Sequence, residues 1–168
     1  TKINPEIITC FGARDGGAVG SVTKGGVTFF SMPQRRLHLE INQVRENVHI
    51  IRMGQGGNDL LFRACIREGV DGIVVEATGG GNVNQPFFNG VCAAIDAGIP
   101  VVAGLRLPSG APHLGKGYQG SYQSLIAKGA ISSGYLSGLK ARILLMAGLG
   151  HTSDIKQLRE IFARAGGG

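Results

Sequence analysis

Residues 72–82 read Gly-Ile-Val-Val-Glu-Ala-Thr-Gly-Gly-Gly-Asn. An apolar run ends in a carboxylate, a hydroxyl, three glycines and an amide. A buried parallel strand that opens into a site at its carboxyl end has this form. Glycines let a ligand approach the backbone, and the Asn82 side chain carries both a donor and an acceptor. Gly80, Gly81 and Asn82 are therefore candidate contacts for a polar substrate such as an amino acid. Thr78 supplies the nearest hydroxyl and Glu76 the nearest carboxylate. An ordinary tight βα turn uses the same residue types, and both readings stand at this point. Two readings also stand for Glu76, which either orients a substrate ammonium or pairs with Arg106.

Two further stretches carry glycines in suggestive order. Residues 54–59, Gly-Gln-Gly-Gly-Asn-Asp, follow a predicted strand and precede Glu76 at the spacing of a dinucleotide fingerprint. Asp59 stands where the third glycine belongs and would set a carboxylate beside the pyrophosphate, so a capped βα turn is the better reading. Residues 110–117, Gly-Ala-Pro-His-Leu-Gly-Lys-Gly, approach a phosphate loop. Gly117 replaces the magnesium-holding hydroxyl, and Pro112 and Gly120 spoil the cradle and its helix, which leaves a loop. His38, His49, His113 and His151 have no ligand spacing. Cys10, Cys65 and Cys92 lie far apart with no paired motif, which argues against a disulfide framework and a zinc site. No metal or cofactor is expected.

The net charge is +6, but the basic residues are scattered and only Arg35 and Arg36 are adjacent. With few aromatics and no basic block, a nucleic-acid partner is not expected. A solvated surface, or attraction of small anions, accounts for the charge. No apolar run approaches the length of a membrane span, and no leader precedes Thr1, so the expected compartment is the cytoplasm. A cleaved leader would leave no trace here.

The elements that must hold these residues follow from periodicity. Residues 19–23 and 27–31 flank Lys24-Gly25-Gly26 and predict a β-hairpin. Leu37, Leu39 and Ile41 alternate, which predicts one more extended piece. Residues 48–53, 72–77, 100–107 and 130–135 predict strands. Between and after them come helices from Asn58 or Asp59 to Glu68, from Pro86 to Gly98, from Ser121 to Lys128, from Leu139 to Ala147, and after Thr152 to Asp154. Strands alternating with helices give an α/β fold: a parallel, doubly wound sheet of about four strands with flanking helices, preceded by a β-hairpin. The division expected is an N-terminal segment with hairpin and linker over 1–46 and an α/β domain over 47–168. Ligands in such folds sit beyond the carboxyl ends of the strands, here near 54–59, 76–82 and 106–110.

Four segments in order resemble the carboxyl-terminal part of bacterial-type L-asparaginases, the asparaginase/glutaminase amidohydrolases. They are Lys2-x-Asn4 with Phe11 and Gly20; Gly79 to Asn82; residues 99–102, Ile-Pro-Val-Val, with Arg106-x-Pro108-Ser109-Gly110; and Ser133-Gly134 through Lys140-Ala141-Arg142. The resemblance implies hydrolysis of the L-asparagine side-chain amide to L-aspartate and ammonia, with L-glutamine open as a second substrate and no cofactor. A threonine nucleophile then forms an acyl-enzyme, and a lysine of lowered pKa takes its proton. Lys2 matches that lysine. Asn82 matches an asparagine that reaches a neighbouring subunit's site, which implies a homo-oligomer. Arg106 falls in the turn after the next strand. Tyr122 or Gln123 stands where the family can place a glutamate on the substrate amine. The family's Gly-Gly-Thr-Ile and Gly-Thr-Asp-Thr motifs are absent, and Thr78 is the hydroxyl nearest the turn. Three functions are consistent with this: a short-form asparaginase, a carboxyl-terminal domain served by a separate nucleophile domain, and a non-catalytic amino-acid-binding module.

Overall fold

A computed structural model describes residues 5–7, 10–13, 16–32, 37–115 and 117–166. The chain divides into two units, Thr1–His38 and Leu39–Gly168. In the first, strands β1 (Gly20–Thr23) and β2 (Gly26–Phe29) pair antiparallel with Thr23 opposite Gly26. This is the expected hairpin.

The second unit runs β3 (Val48–Arg52), α1 (Leu60–Glu68), β4 (Gly72–Ala77), α2 (Gln85–Asp96), β5 (Val101–Leu105), α3 (Tyr122–Lys128), β6 (Ile131–Ser132), α4 (Gly138–His151) and α5 (Ile155–Gly166). The four strands form one parallel sheet in chain order, β3-β4-β5-β6. Helices cover both faces. Ile73, Val75 and Ala77 pack with Phe62 of α1, Phe87 and Val91 of α2 and Leu125 of α3. Val74, Val102 and Ile131 pack on the other face with Leu145 of α4 and Leu158 and Phe162 of α5. Every residue of β4 and β5 is therefore buried, which is why these strands read as apolar runs without alternation. Burying each of the large side chains contributes roughly 1.5–3 kcal/mol. Phe62 and Phe87 meet edge to face at 4.8 Å and join α1 to α2.

Local chemistry sets most helix ends. The Asn84 side chain accepts the Phe87 N–H at 2.9 Å, Ser121 accepts that of Ser124 at 3.2 Å and Ser137 that of Lys140 at 3.5 Å. At the start of α1, Asn58 accepts the Leu60 N–H at 3.0 Å, while Asp59 turns to Arg63 one turn on.

Three expectations about elements are revised. Residues 37–47 form no strand. Beyond Leu39 that connection is tied to α4 instead, through Arg45 N–H to the Met146 carbonyl at 3.0 Å and His151 to the Glu40 carbonyl at 3.0 Å. β6 is only two residues long because Gly134 takes φ +55° and turns the chain. Helix α4 continues through Gly148 and Gly150 to His151. Those glycines are sites of close packing, not stops: a Cβ on Gly148 would meet Leu158 at 2.9 Å, and one on Gly150 the Gln43 carbonyl at 2.2 Å. Among the described residues no helix is long and apolar enough to cross a membrane.

Candidate functional site

The turn that follows β4 lies at the carboxyl end of a strand with neighbours on both sides. It closes on itself. Thr78 N–H donates to the Asn82 carbonyl at 3.0 Å, and the Gly81 and Asn82 N–H groups both donate to the Thr78 carbonyl at 2.9 Å. The Thr78 hydroxyl adds a donation to the Asn82 carbonyl at 2.8 Å. Gly79 and Gly81 take φ +50° and +115°, values that L side chains rarely adopt.

The segment before α3 folds onto this turn. Val83 N–H donates to the Gly120 carbonyl at 2.7 Å, and His113 N–H to the Gly80 carbonyl at 3.2 Å. The His113 ring rests on Gly80, where an added Cβ would lie 2.3 Å from Cε1. The Tyr122 ring rests on Gly81 in the same way, at 2.7 Å. Each glycine thus receives a ring.

Asn82 is half-buried and oriented by its surroundings. Its Oδ1 accepts the Tyr122 backbone N–H at 3.3 Å. That assigns the amide, because only the oxygen accepts. Nδ2 has no acceptor among the described residues. One half of the carboxamide holds the turn to α3, and the other offers two N–H donors.

Tyr122 is 4% exposed, and its phenol oxygen is the one buried side-chain polar atom without a hydrogen-bond partner among the described residues. Burial pushes its pKa up, and the nearby Ser132 hydroxyl offsets this in part. Because burial disfavours the phenolate, titration of this group costs no stability below the unfolded value near pH 10, and stability falls as the pH rises from there through the higher folded value. Tyr122→Phe is expected to be as stable as the parent at pH 7 or more stable, by up to about 1–3 kcal/mol, since an unmet hydroxyl is removed. It is also expected to lose less stability between pH 9.5 and 11. Thermal denaturation at the two pH limits checks both points. A destabilised variant at pH 7 would mean that the hydroxyl has a partner.

Glu76 does not pair with Arg106. It is 7% exposed and binds Arg52, Nε to Oε2 at 2.6 Å. The register explains the change, because Arg52 lies directly opposite Glu76 across β3 and β4. Arg106, just past β5, donates its Nη1 to the Met53 carbonyl at 3.3 Å. The Glu76 carboxylate also lies against Gly138 at the head of α4, where a Cβ would come within 2.2 Å of Oε1. It therefore faces the α4 side of the sheet, whereas Tyr122 packs on the α1–α3 side. Arg52 is largely exposed, so water screens the pair.

Of the other predicted site residues, Lys2 lies outside the described residues, as does Lys116 of the phosphate-loop lookalike. Gly80, Gly81, Asn82 and Tyr122 come together. Thr78 sits at the base of the same turn, but its proton goes to a carbonyl, which is not a base. To act as a nucleophile it must first release that bond. His113 was passed over in the sequence because it has no ligand spacing, and its partner is a distant glycine that no local pattern reveals. Among the described residues, no three His, Cys, Asp or Glu side chains converge to hold a metal.

The family model for the Glutaminase/Asparaginase C-terminal domain matches residues 47–162. The chain is similar to L-asparaginase 2 of Escherichia coli (strain K12), 29% identical over 168 residues, covering 96% of this chain and 47% of that protein. It is similar to L-asparaginase 2 of Bacillus subtilis (strain 168), 27% identical over 169 residues, covering 96% and 43%. A glutamyl-tRNA(Gln) amidotransferase subunit of Aeropyrum pernix is 28% identical over 123 residues, covering 73% and 28%. The chain spans about half the length of the asparaginases it matches.

Proposed function

We propose, since this chain belongs to the Glutaminase/Asparaginase C-terminal domain family, that it takes part in hydrolysing the side-chain amide of L-asparagine to L-aspartate and ammonia. The observation that carries this reading is the half-buried Asn82 carboxamide just past the carboxyl end of β4, whose Oδ1 is held by the Tyr122 N–H while Nδ2 has no acceptor among the described residues. Two fixed N–H donors suit a carboxylate or carbonyl of an amino-acid substrate. Gly79, where an added Cβ would meet nothing within 4 Å, leaves backbone open beside that amide, while Gly80 and Gly81 are covered by the His113 and Tyr122 rings that hold the turn.

In the reaction, a hydroxyl oxygen attacks the amide carbon and forms an ester as ammonia leaves with the hydroxyl's proton. Water then cleaves the ester to aspartate and restores the hydroxyl. Lys2, when neutral, accepts and returns the proton. The chain works as a homo-oligomer in which Asn82 serves a site shared with a second copy. L-Glutamine, longer by one methylene, is a further substrate of the same turn. Tyr122, buried against Gly81, supports the turn, Arg106 follows the adjacent strand β5, and Glu76, tied to Arg52, anchors the end of β4.

The hydroxyl has two sources. Thr78 is the one within the turn. A separate nucleophile-bearing domain is the other, and the engaged Thr78 hydroxyl favours it. Ammonia release from L-asparagine by the purified protein tests the assignment. Lys2→Ala is expected to lower the rate by about 10²–10⁴-fold. Unchanged release by Thr78→Ala assigns the hydroxyl to another segment. Loss in Thr78→Ala with recovery in Thr78→Ser assigns it to Thr78. Full activity in Lys2→Ala would overturn the role given to Lys2.

A further inference from the structure

Beside β6 and the amino end of β5, away from the Asn82 turn, α5 borders two hollows. The larger, of about 320 Å³, is lined by Ile95, Ile99, Pro100, Ile155 and Arg159. The smaller, of about 210 Å³, lies against Ile126, Ile131 and Phe162 and shares Arg159 with the first. Arg159 is half-buried. Its Nη2 donates to the Gly129 carbonyl at 2.6 Å, which fixes the plane of the guanidinium. A carbonyl takes one of its five N–H groups and none of its charge.

No carboxylate among the described residues pairs with Arg159. Glu160, the next residue in the chain, is exposed and forms no ion pair with it, and the acidic groups beside the lining residues Ile95 and Ile155 are otherwise engaged. Asp96 binds the Lys128 ammonium at 2.6 Å. Asp154 accepts the Lys156 N–H at 2.8 Å at the start of α5. A cation half withdrawn from water in an apolar setting is costly until an anion joins it. An apolar hollow with one oriented charged group is the common form of a small-molecule site, and the larger hollow falls within the usual volume range of roughly 300–1,000 Å³.

We propose that the hollow between α2, β5 and α5 binds a small carboxylate with an apolar body, its carboxylate on Arg159 and its chain against Ile95, Ile99 and Ile155. The geometry has the needed parts. The guanidinium is oriented by Gly129 and offers parallel donors to a carboxylate. The isoleucines and Pro100 reward an aliphatic chain by burying it. The Asn82 turn follows the carboxyl end of β4, whereas this hollow opens at the amino end of the adjacent β5, so occupancy of one site does not block the other.

Octanoate is the probe, with octanol as the uncharged control, and calorimetric titration of the purified protein is the readout. Octanoate is expected to bind saturably, with octanol at least about tenfold weaker. Arg159→Gln is expected to weaken octanoate by about tenfold or more. Ser153→Trp, an exposed position on the rim, is expected to block the hollow without touching Arg159, and it keeps the test valid if the arginine variant does not fold. Equal binding of octanoate and octanol, undiminished binding by a folded Arg159→Gln or by Ser153→Trp, or no saturable octanoate binding would overturn the proposal.

Discussion

Gly81→Ala is expected to destabilise the protein by several kcal/mol. The backbone at Gly81 has φ +115°, and forcing an L side chain there costs about 1–3 kcal/mol. The new Cβ would also lie 2.7 Å from the Tyr122 ring. Tyr122 is buried between the turn and the sheet and cannot swing aside, so overpacking adds about 1–3 kcal/mol. Gly79→Ala separates the two causes. Gly79 also has a positive φ, +50°, but an added Cβ there meets nothing within 4 Å. Its cost should be strain alone, about 1–2 kcal/mol. Urea unfolding of both variants measures the difference. Equal losses would mean that the ring of Tyr122 does not rest on Gly81.

The second large effect is at Asn82. Asn82→Asp keeps an oxygen for the Tyr122 N–H and removes the Nδ2 donors. The fold should hold, with stability within about 0.5 kcal/mol of the parent. The specificity constant for L-asparagine should fall about 10- to 150-fold, the worth of a hydrogen bond to a charged group. Asn82→Ala loses both halves of the carboxamide. It should show a similar fall in kcat/KM and also lose about 0.5–1.5 kcal/mol of stability, because the Tyr122 N–H is left without its acceptor. Ammonia release and urea unfolding on the same preparations distinguish the two variants. A fully active Asn82→Asp would show that the donors do not touch substrate.

What the sequence made legible was what local chemistry decides. Residues 72–77 lie buried on both faces, so their unbroken apolar run was a reliable sign of an inner parallel strand. Ser121 marked a helix start because a capping hydroxyl acts on a backbone group three residues away. The turn at 78–82 was visible as a set of residue types, since three glycines and an amide after a strand are locally unusual.

What stayed hidden depends on partners far away in the chain. Arg52 and Arg106 are both plausible mates for Glu76 until the strand register is known, and it sets Arg52 opposite. Gly148 and Gly150 look like helix stops, yet they are the places where Leu158 and the Gln43 carbonyl come close. The use of the Thr78 hydroxyl was also beyond local reading, because its acceptor is a backbone carbonyl in a turn whose closure no side chain announces. His113 gave no sign at all, since a ring laid on a glycine leaves no pattern in spacing.

Titrating the ¹⁵N-labelled protein with L-asparagine, and following the amides of Gly79, Gly80, Gly81, Asn82 and Tyr122, tests most directly whether this turn holds the substrate. The predicted result is a saturable shift centred on Gly80 to Asn82 that Asn82→Asp greatly reduces. The result that would contradict it is a folded protein whose turn amides stay still at saturating L-asparagine, or shift equally in Asn82→Asp.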